Sequence, residues 1–269
     1  MSARVALHGA AGRMGLSLVR LLAEDEELEL GAAIEHAAHP SLGRDIGELA
    51  GVGSLGVSLG ADPEAALDAV DLVIDFSLPG VCAPLLRAAE ARSLPAVVGT
   101  TGLDSEGRGA LHALGRVAPC VHAPNFSQGV TLLLNLAQRA TALLGSGFDA
   151  EIVELHHRQK IDAPSGTAQR LHELVCAARG FEPELAARHG RSGLVGARTD
   201  TEVGVMSARG GDVVGEHTLF LLGPGERIEL THRATDRQIF ARGALRAARW
   251  VVDRSPGLYD MVDVLGILR

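Results

Sequence analysis

Lysine is almost absent from this sequence. Twenty-four of the 25 basic side chains are arginine, and the one lysine is Lys160. Arginine keeps its proton at any working pH, whereas a lysine ammonium can release its proton and has a pKa that its surroundings tune. Lys160 lies in the run Glu154–Thr167, which also holds two adjacent histidines. Chance placement is the plain alternative, but these residue types together favour an active site.

Aromatic residues, cysteines and positive charge are also scarce. Only eight residues are aromatic although 46% are apolar, which predicts an α/β core of aliphatic side chains packed between layers. The formal charge of −8 argues against nucleic acid or an anionic membrane surface as a partner. The cysteines are far apart, lack CxxC spacing and are expected to be reduced; they are Cys82, Cys120 and Cys176.

Long apolar runs are missing as well. No stretch approaches the roughly 18 residues of a membrane span. The strand-like segment Val5–Leu7 follows Met1 without a basic and apolar leader. We therefore expect a soluble cytoplasmic protein, and its length of 269 residues predicts two domains.

From residue 4 to about 125, short apolar runs alternate with segments of helical period. This alternation predicts parallel strands joined by right-handed crossovers. The predicted strands are Arg4–His8, Leu28–Glu35, Leu72–Phe76, Ala96–Thr100 and Cys120–Ala123, and the predicted helices are 13–24, 79–92 and 104–116.

The pattern changes near Asn125. The later segments are a helix at Val130–Leu144, a strand at 149–156, a helix at 165–179, antiparallel-looking runs near 201–207, 213–222 and 226–234, and a helix at 237–252. The turn Gly223–Gly225 indicates a hairpin, and the Gly- and Arg-rich stretch 187–199 is expected to be a mobile loop. The predicted fold is α/β, with an N-terminal Rossmann-like doubly wound parallel sheet at 1–125, completed by 237–269. A central α+β domain with a mixed or antiparallel sheet is predicted at 126–236.

A glycine-rich turn follows the first predicted strand and opens a helix. Such glycines let the backbone approach a pyrophosphate, which then lies on free N–H groups at the helix start. Glu35, twenty residues beyond Gly15, is placed to accept hydrogen bonds from an adenosine ribose. A plain strand-to-helix turn is the alternative for the loop alone, but the pair favours an NAD-type dinucleotide. The candidate residues are Gly9, Ala10, Ala11, Gly12, Arg13, Met14 and Glu35.

Two further loops follow strands of the predicted parallel sheet, where ligands bind in open α/β folds. Their small hydroxyl and amide groups suit a nicotinamide ribose and carboxamide, although each loop alone is compatible with an ordinary turn. The candidate residues are Gly99, Thr100, Thr101, Ala123, Pro124, Asn125 and Phe126. Asp75–Ser77 ends another strand and is expected to be structural, and His8 has no predicted role.

His156 and His157 are neighbours, and adjacent side chains on a strand point to opposite faces. We expect one to exchange a proton near neutral pH and the other to donate a hydrogen bond to an anion. A satisfied core histidine is the alternative for either. No metal site is expected, because no cysteine or carboxylate cluster at ligand spacing completes one.

The segment Asp162–Ala168 leads into a helix for which Ser165 is the predicted N-cap. The N–H groups of the first turn, with the Thr167 hydroxyl, predict a pocket for a carboxylate. Simple capping is the alternative, and the nearby charge of Lys160 favours the pocket.

Five motifs resemble the dihydrodipicolinate (4-hydroxy-tetrahydrodipicolinate) reductase family over nearly the whole chain. The motif at 156–168 is highly specific, whereas the glycine loop alone is not. The motifs are GAAGRMG at 9–15, GTTG at 99–102, APNFS at 123–127, HHRQKIDAPSGTA at 156–168 and PGLYDM at 256–261.

The resemblance implies NAD(P)H-dependent reduction of 4-hydroxy-tetrahydrodipicolinate, via dihydrodipicolinate, to tetrahydrodipicolinate in the diaminopimelate pathway of lysine biosynthesis. It implies that the Rossmann domain binds NADH or NADPH at the three loops and Glu35, and that the central domain binds a small anionic dicarboxylate and forms a homotetramer. His156 would donate or accept a proton and Lys160 would donate one; the substrate contacts would be His157, Ser165, Gly166 and Thr167. NADPH-using relatives often carry an arginine where this chain has His36, which favours NADH or dual use.

Two other classes of function remain open at this point. One is a different two-domain Rossmann enzyme, such as an amino-acid dehydrogenase or an imine reductase. The other is a dinucleotide-binding redox sensor that has lost turnover. Substrate-dependent oxidation of each nucleotide separates all three.

Overall fold

The structure is a computed structural model that describes residues 2–268. Its contacts divide the chain into two compact units, one up to Gln128 together with the segment from Gln238 onward, and one at Gly129–Arg237. Among residues 2–268, no helix has the length and apolar character needed to cross a bilayer.

The elements follow one another along the chain, with a 3₁₀ turn at Gly145–Gly147. They are β1 Ala3–His8, α1 Arg13–Leu22, β2 Leu28–Ile34, α2 Ile46–Ala50, β3 Leu59–Gly60, α3 Pro63–Ala66, β4 Leu72–Asp75, α4 Pro79–Arg92, β5 Ala96–Val98, α5 Ser105–Val117, β6 Pro119–His122, α6 Gln128–Leu144, β7 Asp149–His156, α7 Gly166–Arg179, α8 Pro183–Ala186, β8 Ala187–Arg188, β9 Val203–Arg209, β10 Gly215–Gly223, β11 Glu226–Ala234, α9 Gln238–Val251, β12 Gly257–Tyr259 and α10 Met261–Val264.

The first unit contains a seven-stranded parallel sheet in the order β12-β6-β5-β4-β1-β2-β3. The predicted doubly wound sheet is therefore confirmed. The chain leaves β1 towards β2 on one side and returns to β4 on the other. Ligands bind at such a reversal of strand order, outside the carboxyl ends of the strands.

Both faces of this sheet are covered, which explains why its strands are nearly continuous apolar runs. Leu7 belongs to a core with Leu18 of α1 and Ala248 of α9. Its neighbour Ala6 points to the opposite face and packs in a core with Leu86 of α4. Helix α9 therefore completes one side of this unit.

The second unit contains a five-stranded sheet in the order β11-β10-β7-β9-β8. Strand β10 is antiparallel to β7 and β11, whereas β9 is parallel to β7 and β8. The mixed sheet is confirmed, but the expectation that the run at 201–207 is antiparallel was wrong. A strand's residue pattern does not encode its direction, and the crossover through α7 returns the chain in the direction of β7.

One face of this second sheet packs against α6 and α7. Ile152 and Leu219 of the sheet share a core with Leu133 of α6 and with Leu171 and Val175 of α7. This packing fixes where α7 begins relative to the end of β7.

The Gly- and Arg-rich segment after β8 is irregular, and two arginines attach it to the sheet. Arg191 donates to both oxygens of Glu151 at 2.9 and 2.8 Å and to Glu202 at 2.7 Å. Arg198 donates to Asp149 at 2.8 Å and to Glu151 at 3.0 Å. The expected loop is thus held by ion pairs against β7.

Candidate active site

The glycine-rich turn lies directly after β1, at the reversal of strand order. Gly9 has φ +74°, and a Cβ there would lie 2.6 Å from the carbonyl oxygen of Phe76. Only glycine fits this left-handed and crowded position. The turn is therefore built so that the chain bends tightly into α1.

Helix α1 begins without a side-chain cap. Its N-cap residue, Gly12, is exposed and has no side chain that could accept a hydrogen bond from the first turn. Arg13 is exposed and Met14 is half-buried. An uncapped, exposed helix start with a neighbouring guanidinium fits the phosphates of a dinucleotide.

Glu35 follows β2 and reaches back to the glycine turn. Its Oε2 accepts a hydrogen bond from the N–H of Ala11 at 3.2 Å, and its Oε1 accepts one from the N–H of His36 at 3.1 Å. A carboxylate has further acceptor sites, so it can still bind ribose hydroxyls. His36 is exposed beside it.

His8, which has no role predicted from the sequence, pairs with Asp75 beneath the turn. The two residues are opposite each other at the ends of β1 and β4, with Nδ1 of His8 2.8 Å from Oδ1 of Asp75. The Thr100 hydroxyl donates to Oδ2 of Asp75 at 2.6 Å, and the Cys82 thiol donates to the same oxygen at 3.0 Å. Burial opposes ionisation of Asp75, but the hydrogen bonds from His8 and Thr100 outweigh it and lower its pKa.

The other two predicted loops also lie at strand ends. Gly99 packs directly on the Phe76 ring. A Cβ at position 99 would lie only 2.1 Å from a ring carbon, so no larger residue fits there. The carboxamide oxygen of Asn125 accepts from the N–H of Ser127 at 2.8 Å and shapes its loop. Predicted residues with exposed or half-buried positions are Gly99, Thr101, Pro124 and Asn125, whereas Ala10, Thr100, Ala123 and Phe126 are buried and support the loops from below.

In the second unit, a cluster of polar side chains surrounds the end of β7. Glu154 is fully buried and its Oε2 lies 2.5 Å from Nδ1 of His156. Arg209 of β9 donates to both Glu154 oxygens at 2.9 Å. The N–H of Ser165 donates to Oε1 of Glu154 at 3.2 Å. This carboxylate therefore joins β7, β9 and the start of α7.

The cluster holds an ionised carboxylate and two imidazoles whose pKa values are low. Burial opposes ionisation of Glu154, yet hydrogen bonds from Arg209, Ser207 and His156 lower its pKa to about 2. Burial is also the main reason that the pKa of His156 lies below its ordinary value. Burial and the nearby His156 lower the pKa of His217 to about 4. Both rings are therefore neutral at neutral pH.

Lys160 lies in the loop after β7, and its charge is paired. Its Nζ donates to both oxygens of Asp162 at 2.7 and 2.8 Å, and its side chain is 19% exposed. Arg209 also donates to the carbonyl of Asp162 at 2.6 Å. The only lysine of the sequence is thus held next to the cluster around Glu154.

The two adjacent histidines have different surroundings, as their strand position predicts. His156 is buried in the cluster, whereas His157 is half-buried and its Nε2 accepts from Arg237 at 2.9 Å. Nδ1 of His157 is buried and has no hydrogen-bond partner in the described part of the chain. Because Nε2 of the neutral ring accepts, Nδ1 carries the hydrogen, and this N–H has no acceptor among the described residues.

Helix α7 begins at Gly166, and the predicted N-cap is confirmed. The Ser165 hydroxyl accepts from the N–H of Ala168 at 3.3 Å and is 2.9 Å from Nε2 of His217. The N–H groups of Gly166 and Thr167 lie outside the helix's own hydrogen-bond ladder. Gly166 is exposed with open space beside it, and Thr167 is half-buried. This helix start fits a carboxylate.

Sequence reasoning missed Glu154, Arg209, His217, Asp162 and Arg237. Glu154 could have been predicted from the sequence, because it lies two residues before His156 and therefore on the same face of the strand. Arg209 and His217 carry none, since only the pairing of β7 with β9 and β10 brings them close. Among the residues that the structure describes, no group of three or more potential ligands could hold a metal ion.

Comparison with known families agrees with this geometry along the chain. The model for the N-terminus of dihydrodipicolinate reductase matches residues 3–126, and the model for its C-terminus matches residues 129–265. The chain belongs to the dihydrodipicolinate reductase family. The resemblance inferred from the motifs is therefore confirmed.

Individual relatives match over their full length. A 4-hydroxy-tetrahydrodipicolinate reductase from Syntrophotalea carbinolica is 48% identical, covering 98% of this chain and 99% of the relative. A protein of the same name from Alkalilimnicola ehrlichii is also 48% identical, with 99% and 100% covered. The dipicolinate-bound dihydrodipicolinate reductase from a Paenisporosarcina species is 26% identical, covers 100% of both chains and superposes with a TM-score of 0.77.

Proposed function

We propose that this protein catalyses the NAD(P)H-dependent reduction of 4-hydroxy-tetrahydrodipicolinate to tetrahydrodipicolinate, in the diaminopimelate route to lysine. The observation that carries the proposal is full-length similarity, at 48% identity, to reductases of that name. Family membership confirms the activity class expected from the motifs, an NAD(P)H-dependent oxidoreductase.

The first unit would hold the dinucleotide, which supplies a hydride when bound. The exposed start of α1 and the turn Gly9–Met14 would bind its phosphates, and Glu35 its adenosine ribose. The loops Gly99–Thr101 and Ala123–Phe126 would receive the nicotinamide end at their exposed or half-buried residues, which are Gly99, Thr101, Pro124 and Asn125. His36 offers no permanent positive charge to a 2′-phosphate, which supports use of NADH or of both nucleotides.

The second unit would bind the substrate through its two carboxylates. The N–H groups of Gly166 and Thr167, the dipole of α7 and the ammonium of Lys160 would fix one carboxylate. Ser165 would hold that helix start in place, and Nδ1 of His157 would donate to an anionic group of the substrate. The name of the dipicolinate-bound relative supports a dicarboxylate ligand of this kind.

The residues would also handle the proton that accompanies the hydride. The substrate loses its hydroxyl as water to give dihydrodipicolinate. Reduction of that unsaturated ring adds one hydride and one proton, and Lys160 would donate the proton from Nζ. His156, neutral at neutral pH, would exchange a proton with the substrate at the nitrogen that Glu154 leaves free.

Steady-state kinetics with freshly generated substrate test this function. We expect substrate-dependent oxidation of NADH, NADPH or both, and loss of most of that activity in His156→Ala. Oxidation only with amino acids or simple imines would favour another Rossmann dehydrogenase or an imine reductase. Nucleotide binding with no turnover on any of these compounds would favour a redox sensor.

We also propose that the sheet of the second unit joins four copies of the chain in the cytoplasm. The face opposite α6 and α7 presents Val153, Phe220 and Leu222 as exposed or half-buried apolar side chains. The three cysteines are buried and free, which suits a reducing compartment.

Sedimentation of the full chain tests the assembly. The wild type should sediment as four chains of 28.0 kDa, and Phe220→Glu should dissociate it. Leu185→Glu, at an 82% exposed apolar position on α8, is the matched control and should leave the assembly intact. A monomeric wild type would contradict the proposal.

A further inference from the structure

The strand face that carries His156 also carries a carboxylate that binds neither substrate nor nucleotide in the function proposed above. Glu154 is two residues earlier on β7, and its side chain is fully buried. Arg209 donates hydrogen bonds to both of its carboxylate oxygens. The N–H of Ser165 donates to the same group. Two N–H groups of Arg209 on β9 and the N–H of Ser165 at the start of α7 therefore hold this carboxylate in one orientation against the ring of His156.

This geometry determines which nitrogen of His156 carries its hydrogen. An ionised carboxylate can only accept hydrogen bonds, so Nδ1 of His156 must be the donor in its contact with Glu154. In the neutral ring, Nε2 is then the acceptor. Nε2 lies beside Gly215 of β10, where a Cβ would come within 2.9 Å of it. A side chain at position 215 would crowd this nitrogen, and glycine leaves it room.

We propose that Glu154, held by Arg209, positions His156 and keeps its Nδ1 protonated, so that Nε2 is the nitrogen that exchanges a proton with the substrate. This inference rests on the proposed function, in which His156 contacts the substrate. Glu154 acts only through His156 and is therefore a positioning residue.

Glu154 and Arg209 have opposite effects on the pKa of His156, so an experiment can distinguish their contributions. Burial has the largest influence and lowers the pKa of His156, Glu154 raises it, and Lys160 and Arg209 lower it. Removing the carboxylate should therefore lower the pKa of His156 further, and removing the guanidinium should raise it. The titratable and charged groups that face the ring are Glu154 on β7, Arg209 on β9, His217 on β10, and Lys160 and Asp162 in the loop after β7.

The test compares Glu154→Gln with Arg209→Gln in the full chain, by following kcat and kcat/KM against pH. In Glu154→Gln, we expect kcat to fall by about 10²–10⁴ with the KM for nucleotide unchanged. The acid limb of kcat/KM should move to lower pH in Glu154→Gln and to higher pH in Arg209→Gln. Structural damage alone does not produce shifts of opposite sign.

Glu202→Gln is the matched control. Glu202 is also a buried carboxylate in the second unit, it is paired with Arg191 at 2.7 Å, and hydrogen bonding to Arg191 is the main reason that its pKa is lowered to about 2. It does not contact His156, so this variant should lose stability while its pH profile stays that of the wild type.

A spectroscopic readout on the unmodified protein does not depend on any variant folding well. Nitrogen-15 spectra of the histidine-labelled chain, with His156 assigned by its loss in His156→Gln, should show a protonated Nδ1 and an unprotonated Nε2. The opposite tautomer would overturn the inference, as would a Glu154→Gln enzyme with the kinetics of Glu202→Gln. If His156→Ala itself keeps full turnover, the role of His156 in the proposed function fails instead.

Discussion

Lys160 is the residue that the composition singled out, and the structure shows it held by Asp162 instead of extending freely into solvent. A paired ammonium has a defined position, which a proton donor needs because proton transfer requires hydrogen-bond distance. The pair also holds the lysine in the loop that leads into α7, whose start is proposed to bind the substrate carboxylate.

Replacing Lys160 by Arg keeps the positive charge but removes a group that can give up its proton. We expect turnover to fall by about 10²–10⁴ while nucleotide affinity, measured by calorimetry, is unchanged. Arg170→Lys makes the reverse exchange in an exposed pair with Glu173 and should have no effect. Near-normal turnover in Lys160→Arg would refute the proton-donor role.

We expect a different role for His157, because its Nδ1, which has no hydrogen-bond partner within residues 2–268, suits substrate binding better than proton transfer. His157→Ala should raise the KM for substrate by about ten- to a hundredfold, the usual worth of a hydrogen bond to a charged group. Its effect on kcat should be much smaller than that of His156→Ala. Equal losses of kcat in the two variants would show that the histidines do not have separate roles.

Among the secondary-structure elements, β1 and β4 determine where the glycine-rich turn after β1 lies. The pair of His8 with Asp75 joins their carboxyl ends, and Thr100 joins the same carboxylate to the loop after β5. The glycine turn and the loop after β5, which is proposed to receive the nicotinamide, therefore share one buried anchor. The sequence predicted both loops but not this connection between them.

Asp75→Asn tests that anchor. An amide cannot accept at both positions as the carboxylate does, so a buried donor loses its partner, at a cost of about 1–3 kcal/mol. Urea unfolding should show this loss together with weaker nucleotide binding. Asp68→Asn, at an exposed pair with Arg92, should cost less than about 1 kcal/mol. Similar losses at both positions would argue against the anchor.

For the molecule as a whole, several buried groups make stability sensitive to acid in the same direction. The folded state lowers the pKa of His217 from 6.5 to about 4, through burial and the nearby His156. The unfolded chain therefore binds a proton first, and stability is lost as pH falls from 6.5 towards 4. Glu154 and Glu202 have pKa values lowered from 4.5 to about 2, so their contributions disappear between those values.

Urea unfolding at pH 7.5, 5.5 and 4.5 measures this dependence. We expect the wild type to lose up to about 3 kcal/mol from His217 alone over this range, because one pKa unit corresponds to about 1.4 kcal/mol. His217→Gln removes one titrating group and should make the curve less steep between pH 6.5 and 4, where the lowered pKa values of His156, His172 and His232 still contribute. A wild-type stability that does not change from pH 7.5 to 4.5 would contradict the argument.

Local sequence decides several features of this protein. Alternating apolar and helical segments predicted the five central strands of the parallel sheet to within two residues at each end, because buried parallel strands need apolar side chains on both faces. The Gly9 turn and the Ser165 cap were also predictable, since a strand-to-helix glycine turn and a helix N-cap each have a local residue pattern. The motif at 156–168 indicated the family for the same reason, as its residues are contiguous.

Tertiary structure decided the rest. Three features depend on strand register between segments more than 50 residues apart. They are the parallel direction of β9, the hydrogen bond between His8 and Asp75, and the hydrogen bonds from Arg209 to Glu154. Whether Glu154 is ionised and His217 neutral depends on burial and on the charges that the fold brings near them. Burial and nearby charges depend on distances in three dimensions, and the spacing of residues along the chain does not determine those distances.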